Sequence, residues 1–291
     1  MLTDRLKSSI PLIILICLAF FLPFPYGHGL FVIMALAMLW LACHEMFELL
    51  DPPKKPIIKA IAILYGTITI ATISIPHFIN KAPIIGIPDS LVLALAVLAV
   101  FTISLKVEPT KANVNGSLAA IGAIVAFPWT LAFIPRLVFL TTTGDTRPLV
   151  FYMILVTKIA DAGAYAAGTW TAKRPGRNHK LSPLISPKKS WEGFIGGTIS
   201  SAVTALACYL IFPATVSLSG TKIFTWMEAL AFGILASVIG LIGDLAESSI
   251  KRSAKAKDSG ALPGIGGILD TLDSLLFVSP LFYAFVQYKL N

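Results

Sequence analysis

The sequence is poor in charge and in cysteine. Of its 291 residues, 13% are Asp, Glu, Lys or Arg and 56% are hydrophobic, with a mean hydropathy of +0.82. Soluble domains carry about 25% charged residues, so this composition argues against a soluble fold. The three cysteines, Cys17, Cys43 and Cys208, lie in apolar segments without C-x-x-C spacing. They therefore indicate neither a disulfide framework nor a zinc site.

Long apolar runs recur along the whole sequence. A helix needs roughly 20 apolar residues to cross a hydrocarbon core of about 30 Å, and a cleaved signal peptide would explain only one such run. We therefore predict an all-α, polytopic integral membrane protein with about nine transmembrane helices, and a count of eight or ten stays open. The predicted spans are residues 9–24, 27–49, 57–76, 89–105, 116–136, 148–170, 193–216, 226–248 and 271–288.

The distribution of basic residues predicts the orientation, because Lys and Arg are retained in short cytoplasmic loops. If the amino terminus is cytoplasmic, seventeen of the 23 Lys and Arg residues fall on that side and the carboxyl terminus lies outside. The seventeen are Arg5, Lys7, Lys54, Lys55, Lys59, Lys106, Lys111, Lys173, Arg174, Arg177, Lys180, Lys188, Lys189, Lys251, Arg252, Lys255 and Lys257. The net charge of +8 then fits anionic lipid and phosphate, and we expect no nucleic-acid partner.

The predicted spans leave no room for a soluble domain. We predict one membrane domain, residues 1–291, in which 1–147 form a mainly hydrophobic scaffold and 148–291 a catalytic half. Two basic cytoplasmic loops, after the sixth and eighth spans, are rich in Gly, Pro and Ser. They are the candidate functional loops.

Charged residues inside the sixth span call for an explanation, because each costs about 2.5–3.5 kcal/mol in a membrane. Lys158, Asp161 and Tyr165 recur at i, i+3 and i+7, so they share one helix face. They form either an internal ion pair or, through Asp161, a support for a metal ion or a phosphate group.

A basic motif precedes the seventh span. Ser186-Pro187-Lys188-Lys189-Ser190-Trp191-Glu192-Gly193 leads into a glycine-rich helix start, where free N–H groups and the helix dipole favour anions. The motif predicts phosphate recognition, and a solvated basic loop is the alternative.

The densest group of charges begins at the end of the eighth span. Asp244, Glu247 and Lys251 share one face, and Asp270 and Asp273 lie one turn apart at the start of the last helix. Oxygen ligands at Asp244, Asp270 and Asp273 would suit a magnesium ion whose shell is completed by substrate phosphates, and a second ion stays open. The chemistry predicted is phosphoryl or nucleotidyl transfer.

These motifs resemble the signature of the phosphatidate cytidylyltransferase (CDP-diacylglycerol synthase) family. The resemblance rests on Ser249-x-Lys251-Arg252-x4-Lys257-Asp258, followed by Pro263-Gly264-x-Gly266-Gly267-x-x-Asp270-x-x-Asp273. Asp161-x-x-Ala164-Tyr165 and the motif 186–193 match upstream motifs in the expected order. The matches span about residues 161–273.

The resemblance implies that the phosphate of phosphatidate attacks the α-phosphorus of CTP and that pyrophosphate leaves, with Mg²⁺ as cofactor. It also implies a bacterial inner (cytoplasmic) membrane with the active site facing the cytoplasm, and membrane lipids as partners; a homodimer stays open. The implied catalytic residues are Asp244, Lys251, Arg252, Lys257, Asp258, Asp270 and Asp273, with Asp244, Asp270 and Asp273 as metal ligands. The implied substrate-binding residues are Asp161, Tyr165, Ser186, Lys188, Lys189, Glu192, Gly266 and Gly267.

The sequence departs from the family pattern at three points. Ile265 stands where His is usual, Thr271 stands where Arg is usual, and the turn between Asp258 and Pro263 is one residue short. The chain is then a divergent enzyme, one with a changed nucleotide or lipid preference, or an inactive relative. An enzyme acting on an isoprenoid lipid phosphate, a secondary transporter and an assembly protein are the alternative functions.

Overall fold

The structure, a computed structural model, describes residues 14–79, 88–140, 144–174, 176, 178–260 and 266–290. Helices make up 78% of the described residues and strands very few of them, which confirms the predicted all-α class. A helical segment at residues 14–21 precedes the main helices. These are α1 (Tyr26–Leu50), α2 (Lys55–Phe78), α3 (Asp89–Ser104), α4 (Lys111–Ile124), α5 (Phe133–Val138), α6 (Arg147–Ala172), α7 (Trp191–Ile211), α8 (Trp226–Ser253) and α9 (Ile268–Leu290).

Seven helical segments of the described chain are long and apolar enough to cross a bilayer: α1, α2, the combined segment Lys111–Val138, α6, α7, α8 and α9. They identify an integral membrane protein. Helix α3 is apolar but has only 16 residues, and residues 9–13 of the first predicted span lie outside the described residues. The count of nine spans and the cytoplasmic amino terminus therefore stay predictions.

The chain divides into two compact units. The first comprises Met1–Phe139 and Ser253–Thr271. Here the Thr110 hydroxyl accepts a hydrogen bond from the backbone N–H of Asn113 and so caps α4. Between α4 and α5 the helix widens into a π-helical turn at Val125–Trp129, as expected where a proline, Pro128, removes one backbone donor.

The second unit comprises Leu140–Arg252 and Leu272–Asn291, so the first residues of α9 are grouped with the first unit. Helices α6 and α7 pack closely through small residues, since a Cβ at Gly197 would lie 2.6 Å from the carbonyl oxygen of Ala160. Tyr152, Phe232 and Phe282 form an aromatic core, with ring centroids 4.8–6.1 Å apart. The predicted single membrane domain and its division at residue 147 stay predictions.

Two short antiparallel hairpins join helices of the second unit. Strands β1 (Lys180–Ser182) and β2 (Ser186–Ser190) lie between α6 and α7, where the sequence predicted a basic loop. Strands β3 (Ser217–Leu218) and β4 (Thr221–Lys222) lie between α7 and α8. The first hairpin matters for function because it gives the basic motif a defined backbone.

Helix α8 is longer than a bilayer core requires. It starts at a capping box, in which the backbone N–H of Thr225 donates to Glu228 and that of Glu228 donates to the Thr225 hydroxyl. Its 28 residues extend for about 42 Å, about 12 Å more than the hydrocarbon core. A helix of this length crosses the core with a tilt or projects from it.

Candidate active site

Three carboxylates form a cluster in the second unit. Asp244 and Glu247 lie one turn apart on α8, and Asp273 lies on α9. One carboxylate oxygen of each lies within 4.8 Å of the others, so among the described residues this group could hold a metal ion. Glu247 and Asp273 are buried, whereas Asp244 is about one-third exposed.

A glycine brings the two helices together at this point. A Cβ at Gly243 would lie 2.5 Å from the carbonyl oxygen of Asp273 and 2.8 Å from the Phe277 ring. Real Cβ atoms do not approach so closely, so α8 and α9 can only pack in this way where the side chain is absent. The close approach places Asp244, the next residue along the chain, beside Asp273.

Two lysines compensate the negative charge of the cluster. The Lys189 Nζ lies 2.7 Å from Asp244 Oδ2, and the Lys251 Nζ lies 2.5 Å from Glu247 Oε2. Glu247 and Lys251 are 2% and 8% exposed, and buried charges persist only when they are paired. Lys189 lies on β2, so the hairpin places the predicted phosphate-binding motif next to the carboxylate cluster.

A second polar group borders the cluster. The Lys158 Nζ donates to Ser274 Oγ at 2.9 Å and lies 3.2 Å from Asp161 Oδ2, which also accepts from Ser274 Oγ at 3.1 Å. The backbone N–H of Ser274 donates to Asp273 Oδ1 at 2.6 Å. The structure thus forms the Lys158–Asp161 ion pair that the spacing suggested, and links it through Ser274 to a carboxylate of the cluster.

A cavity of about 420 Å³ opens onto the cluster. Its polar lining includes four residues predicted to bind substrate, together with Asp244. Its apolar lining comes mainly from α6, α7 and α8. A site with both kinds of lining suits a ligand that carries a phosphate and an apolar part. The predicted residues in the lining are Asp161, Tyr165, Lys188 and Lys189.

Two other predicted binding residues hold the hairpin and are absent from the lining of this cavity. Ser186 pairs with Ser182 across β1 and β2. The Glu192 carboxylate accepts from the backbone N–H of His179 at 3.0 Å and lies 2.6 Å from its ring Nδ1. Ser190 caps α7 by accepting from the backbone N–H of Gly193. These contacts fix the position of Lys188 and Lys189 relative to the helix start.

The remaining predicted residues lie at the carboxyl end of α8 and in the segment that follows. The Arg252 Nε donates to the carbonyl oxygen of Ile185 in the hairpin turn at 3.3 Å. In the first unit, Lys257 and Asp258 are exposed and Gly266 has a positive φ of 91°. Pro263, Gly264 and Ile265, at which the sequence predicts a turn, lie outside the described residues, as does Arg177.

Asp270 lies in the first turn of α9, within the first unit. Its Oδ2 accepts from the backbone N–H groups of Ser259, at 3.1 Å, and Gly267, at 2.9 Å. The Ser259 hydroxyl oxygen also lies 3.1 Å from Asp270 Oδ2. The prediction that Asp270 is a metal ligand with Asp244 and Asp273 stays a prediction.

Sequence reasoning missed two acidic residues. The sequence predicts Glu247 on the face of Asp244 but not among the metal ligands, although its i, i+3 spacing from Asp244 is a signal for that role. No motif includes Glu45, although an acidic residue within an apolar span indicates a buried contact. Both carboxylates are buried in the structure.

Together the fold and the site define a helical integral membrane protein with a carboxylate and lysine cluster between its helices. The chain belongs to the cytidylyltransferase family, because the family's sequence profile matches residues 5–289. The resemblance found in the motifs is therefore confirmed at the level of the family.

Curated relatives carry the more specific name phosphatidate cytidylyltransferase. One from Staphylococcus haemolyticus is 41% identical over 144 residues, which cover 49% of this chain and 50% of the relative. A Staphylococcus aureus protein is 39% identical over 144 residues, with the same shares. One from Haemophilus influenzae is 41% identical over 143 residues, which cover 49% of this chain and 46% of the relative. The matched stretch thus spans about half the length of each relative.

Proposed function

We propose that this chain transfers the cytidylyl group of CTP to phosphatidate, giving CDP-diacylglycerol and pyrophosphate in a magnesium-dependent reaction. Membership of the cytidylyltransferase family and the names of the relatives support this reaction class. The observation that carries the proposal is the cluster of Asp244, Glu247 and Asp273, which lies beside Lys189 and a cavity that has both polar and apolar walls.

The cluster fits a divalent cation by two criteria. Its donors are the hard oxygens that Mg²⁺ prefers, and oxygens about 2.1 Å from an octahedral ion lie about 3 to 4 Å apart. The three carboxylate oxygens lie within 4.8 Å of one another. This spacing is close to that of ligands around one ion. Asp270 is proposed as a further ligand on the sequence pattern alone.

In the proposed reaction a phosphate oxygen of phosphatidate attacks the α-phosphorus of CTP. The bond between the α-phosphorus and the oxygen bridging to the β-phosphate breaks, and pyrophosphate leaves with the electron pair. A bound Mg²⁺ would neutralise charge on the triphosphate and orient it for in-line attack. A phosphate monoester is already anionic near neutral pH, so the scheme needs no strong general base.

The lysines and Arg252 supply the remaining counter-charge. Lys188 and Lys189 line the cavity and are assigned to substrate phosphate. Lys251, Arg252 and Lys257 are assigned to the charge that grows on pyrophosphate, which positioned cations stabilise most in the transition state. We assign to Asp258, the residue after Lys257, the catalytic role that the family motif implies.

We place the site at the cytoplasmic face of a bacterial cytoplasmic membrane. The bias of Lys and Arg supports this orientation, since the hairpin and the end of α8 belong to the two most basic loops. CTP is a cytoplasmic metabolite, so its transfer to a membrane lipid requires a site open to that side.

The test is a transfer assay on the purified chain in phospholipid nanodiscs. Radiolabelled CTP and Mg²⁺ are supplied with phosphatidate or with an isoprenoid phosphate, and lipid-linked label is measured with and without EDTA. We expect CDP-diacylglycerol with phosphatidate and loss of product with EDTA. Asp244→Asn should be inactive, whereas Glu228→Gln, which alters a carboxylate paired with Lys289 at the other end of α8, should be active.

If product forms with the isoprenoid phosphate and not with phosphatidate, the proposed cytidylyl transfer stands but the proposed lipid substrate is wrong. Absence of product with both lipids, from protein whose thermal unfolding shows a folded state, would refute the proposal. Product that survives EDTA would refute the metal dependence.

A further inference from the structure

Glu45 is a buried carboxylate in the apolar helix α1 whose contacts lie at the other end of the chain. It is 8% exposed. Its Oε1 accepts from the backbone N–H of Ile268 at 3.0 Å, and its Oε2 accepts from the N–H of Leu269 and from Ser259 Oγ, both at 2.9 Å. All four residues belong to the first unit.

These contacts make Glu45 a cap for α9 supplied from a distant helix. The first N–H groups of a helix have no partner within the helix, and the helix dipole favours negative charge at that end. Ile268 and Leu269 are the first two residues of α9, and the Glu45 carboxylate accepts from both. Burial makes these contacts costly to lose, because the freed donors would find no water.

The chain around Glu45 is shaped to admit its carboxylate. A Cβ at Gly260 would lie 2.7 Å from Glu45 Cδ, and one at Gly267 would lie 2.5 Å from Glu45 Oε2. No side chain fits at either position while Glu45 stays in place. Gly267 was predicted to bind substrate, and the structure gives it this steric role as well.

Ser259 connects Glu45 to Asp270. Its hydroxyl lies 2.9 Å from Glu45 Oε2 and 3.1 Å from Asp270 Oδ2. The backbone N–H of Ser259 and that of Gly267 also donate to Asp270 Oδ2. Ser259 and Gly267, which donate to Asp270, therefore also pack against Glu45.

We propose that Glu45 is a positioning residue for the transfer reaction. It fixes Ser259 and the first turn of α9, and through them the direction of the Asp270 carboxylate. The inference rests on the proposed function and on the role predicted there for Asp270. Residues that orient a metal ligand in this way typically affect metal affinity or activity by about 10- to 100-fold.

The test compares Glu45→Gln with Glu48→Gln. Glu48 lies one turn further along α1, is about half exposed, and pairs with Lys55 and Lys59 at the surface. We expect Glu45→Gln to lower kcat by about 10- to 100-fold and to raise the Mg²⁺ concentration for half-maximal rate, with the phosphatidate KM within about twofold. Glu48→Gln should match the wild type in all three.

Two more conservative variants distinguish a positioning role from a general loss of folded protein. Ser259→Ala removes only the shared hydroxyl, so it should shift kcat and the Mg²⁺ requirement in the same direction by a smaller factor. Glu45→Asp keeps the charge and should recover part of the loss seen with Glu45→Gln. A purely structural role predicts a lower melting temperature with an unchanged kcat per folded molecule, and that outcome overturns the inference.

A readout independent of activity separates this inference from the proposed function. Hydrogen exchange at the amides of Ile268 and Leu269 should quicken in Glu45→Gln and stay unchanged in Glu48→Gln. If the wild type makes no CDP-lipid, the proposed function fails and the positioning role fails with it, while faster exchange would still identify the cap. If exchange in Glu45→Gln equals that of the wild type, the cap is wrong whatever the activity.

Discussion

The two units each contain a group of carboxylates, and the groups differ in what neutralises them. In the second unit, Asp244 and Glu247 pair with the ammonium groups of Lys189 and Lys251. In the first unit, Glu45 and Asp270 accept from backbone N–H groups and from Ser259. Both groups consist of acidic side chains on helices, yet their partners have very different freedom to move.

The difference bears on what each group can do. A lysine holds its charge on a flexible four-carbon stem and can turn from a carboxylate to a phosphate. A backbone N–H is fixed by the helix that carries it. Asp244, which pairs with such a lysine, is therefore suited to exchange partners, whereas Glu45 is suited to hold a fixed geometry. The predictions below test this contrast.

The largest effect is expected for Asp244→Asn. The change removes one charge from the proposed metal site, and loss of about 4 kcal/mol of transition-state stabilisation lowers turnover by about 1,000-fold. Turnover in the nanodisc assay is the measurement, and membrane insertion should be normal. A variant that keeps a near-normal rate would show that the cluster does not hold the catalytic ion.

Asp270→Asn should be nearly as damaging, with turnover reduced by about 100-fold or more if its carboxylate serves the metal ion as the motif implies. The amide keeps the shape of the side chain, so hydrogen exchange in the first turn of α9 should change little. A large change in exchange with little change in turnover would instead make Asp270 part of the cap formed by Glu45.

Glu247→Gln should lower turnover by about 10- to 100-fold, because Glu247 either binds the ion directly or orients Lys251 beside it. The Mg²⁺ dependence of the rate separates the two cases. A direct ligand raises the Mg²⁺ requirement, whereas a residue that only orients Lys251 leaves it unchanged. A rate equal to that of the wild type would exclude both roles.

Lys188→Ala should raise the KM for CTP by about tenfold, with kcat within about twofold, since an exposed charge-assisted contact contributes at the lower end of about 1.5–3 kcal/mol. Steady-state kinetics measure both constants. Lys173→Ala removes an exposed lysine at the end of α6 and is the matched control. A defect confined to kcat would contradict this assignment and place Lys188 in the transition state.

The smallest effect, on stability, is expected for Gly243→Ala. The added methyl group would meet the backbone of Asp273, and overpacking of this kind costs about 1–3 kcal/mol. Thermal unfolding should show a lower melting temperature. Gly122→Ala is the control, because a Cβ there meets nothing within 4 Å and should be neutral or slightly stabilising. Equal melting temperatures would argue against the close packing of α8 and α9.

Periodicity and motif spacing were sufficient for some elements and not for others. The i, i+3 spacing of Lys158 and Asp161 gave the ion pair, because helix geometry alone sets which side chains meet. The hairpin of β1 and β2 was predicted as a loop, since strands of three and five residues have no clear periodic signal. The observed helix ends differ from the predicted ones by several residues. Helix α8, for example, continues to Ser253 and therefore includes Lys251 and Arg252.

The sequence by itself determined the membrane class, the family and five of the residues that line the cavity, because apolar length and motif order are local properties of the chain. Only the tertiary structure decided that Glu247 joins Asp244 and Asp273, and that Glu45 caps a helix beginning 223 residues later. The physical reason is that a carboxylate's partners depend on which helices pack side by side. Glycines such as Gly243 permit that packing, but a glycine in the sequence does not indicate which helix packs against it.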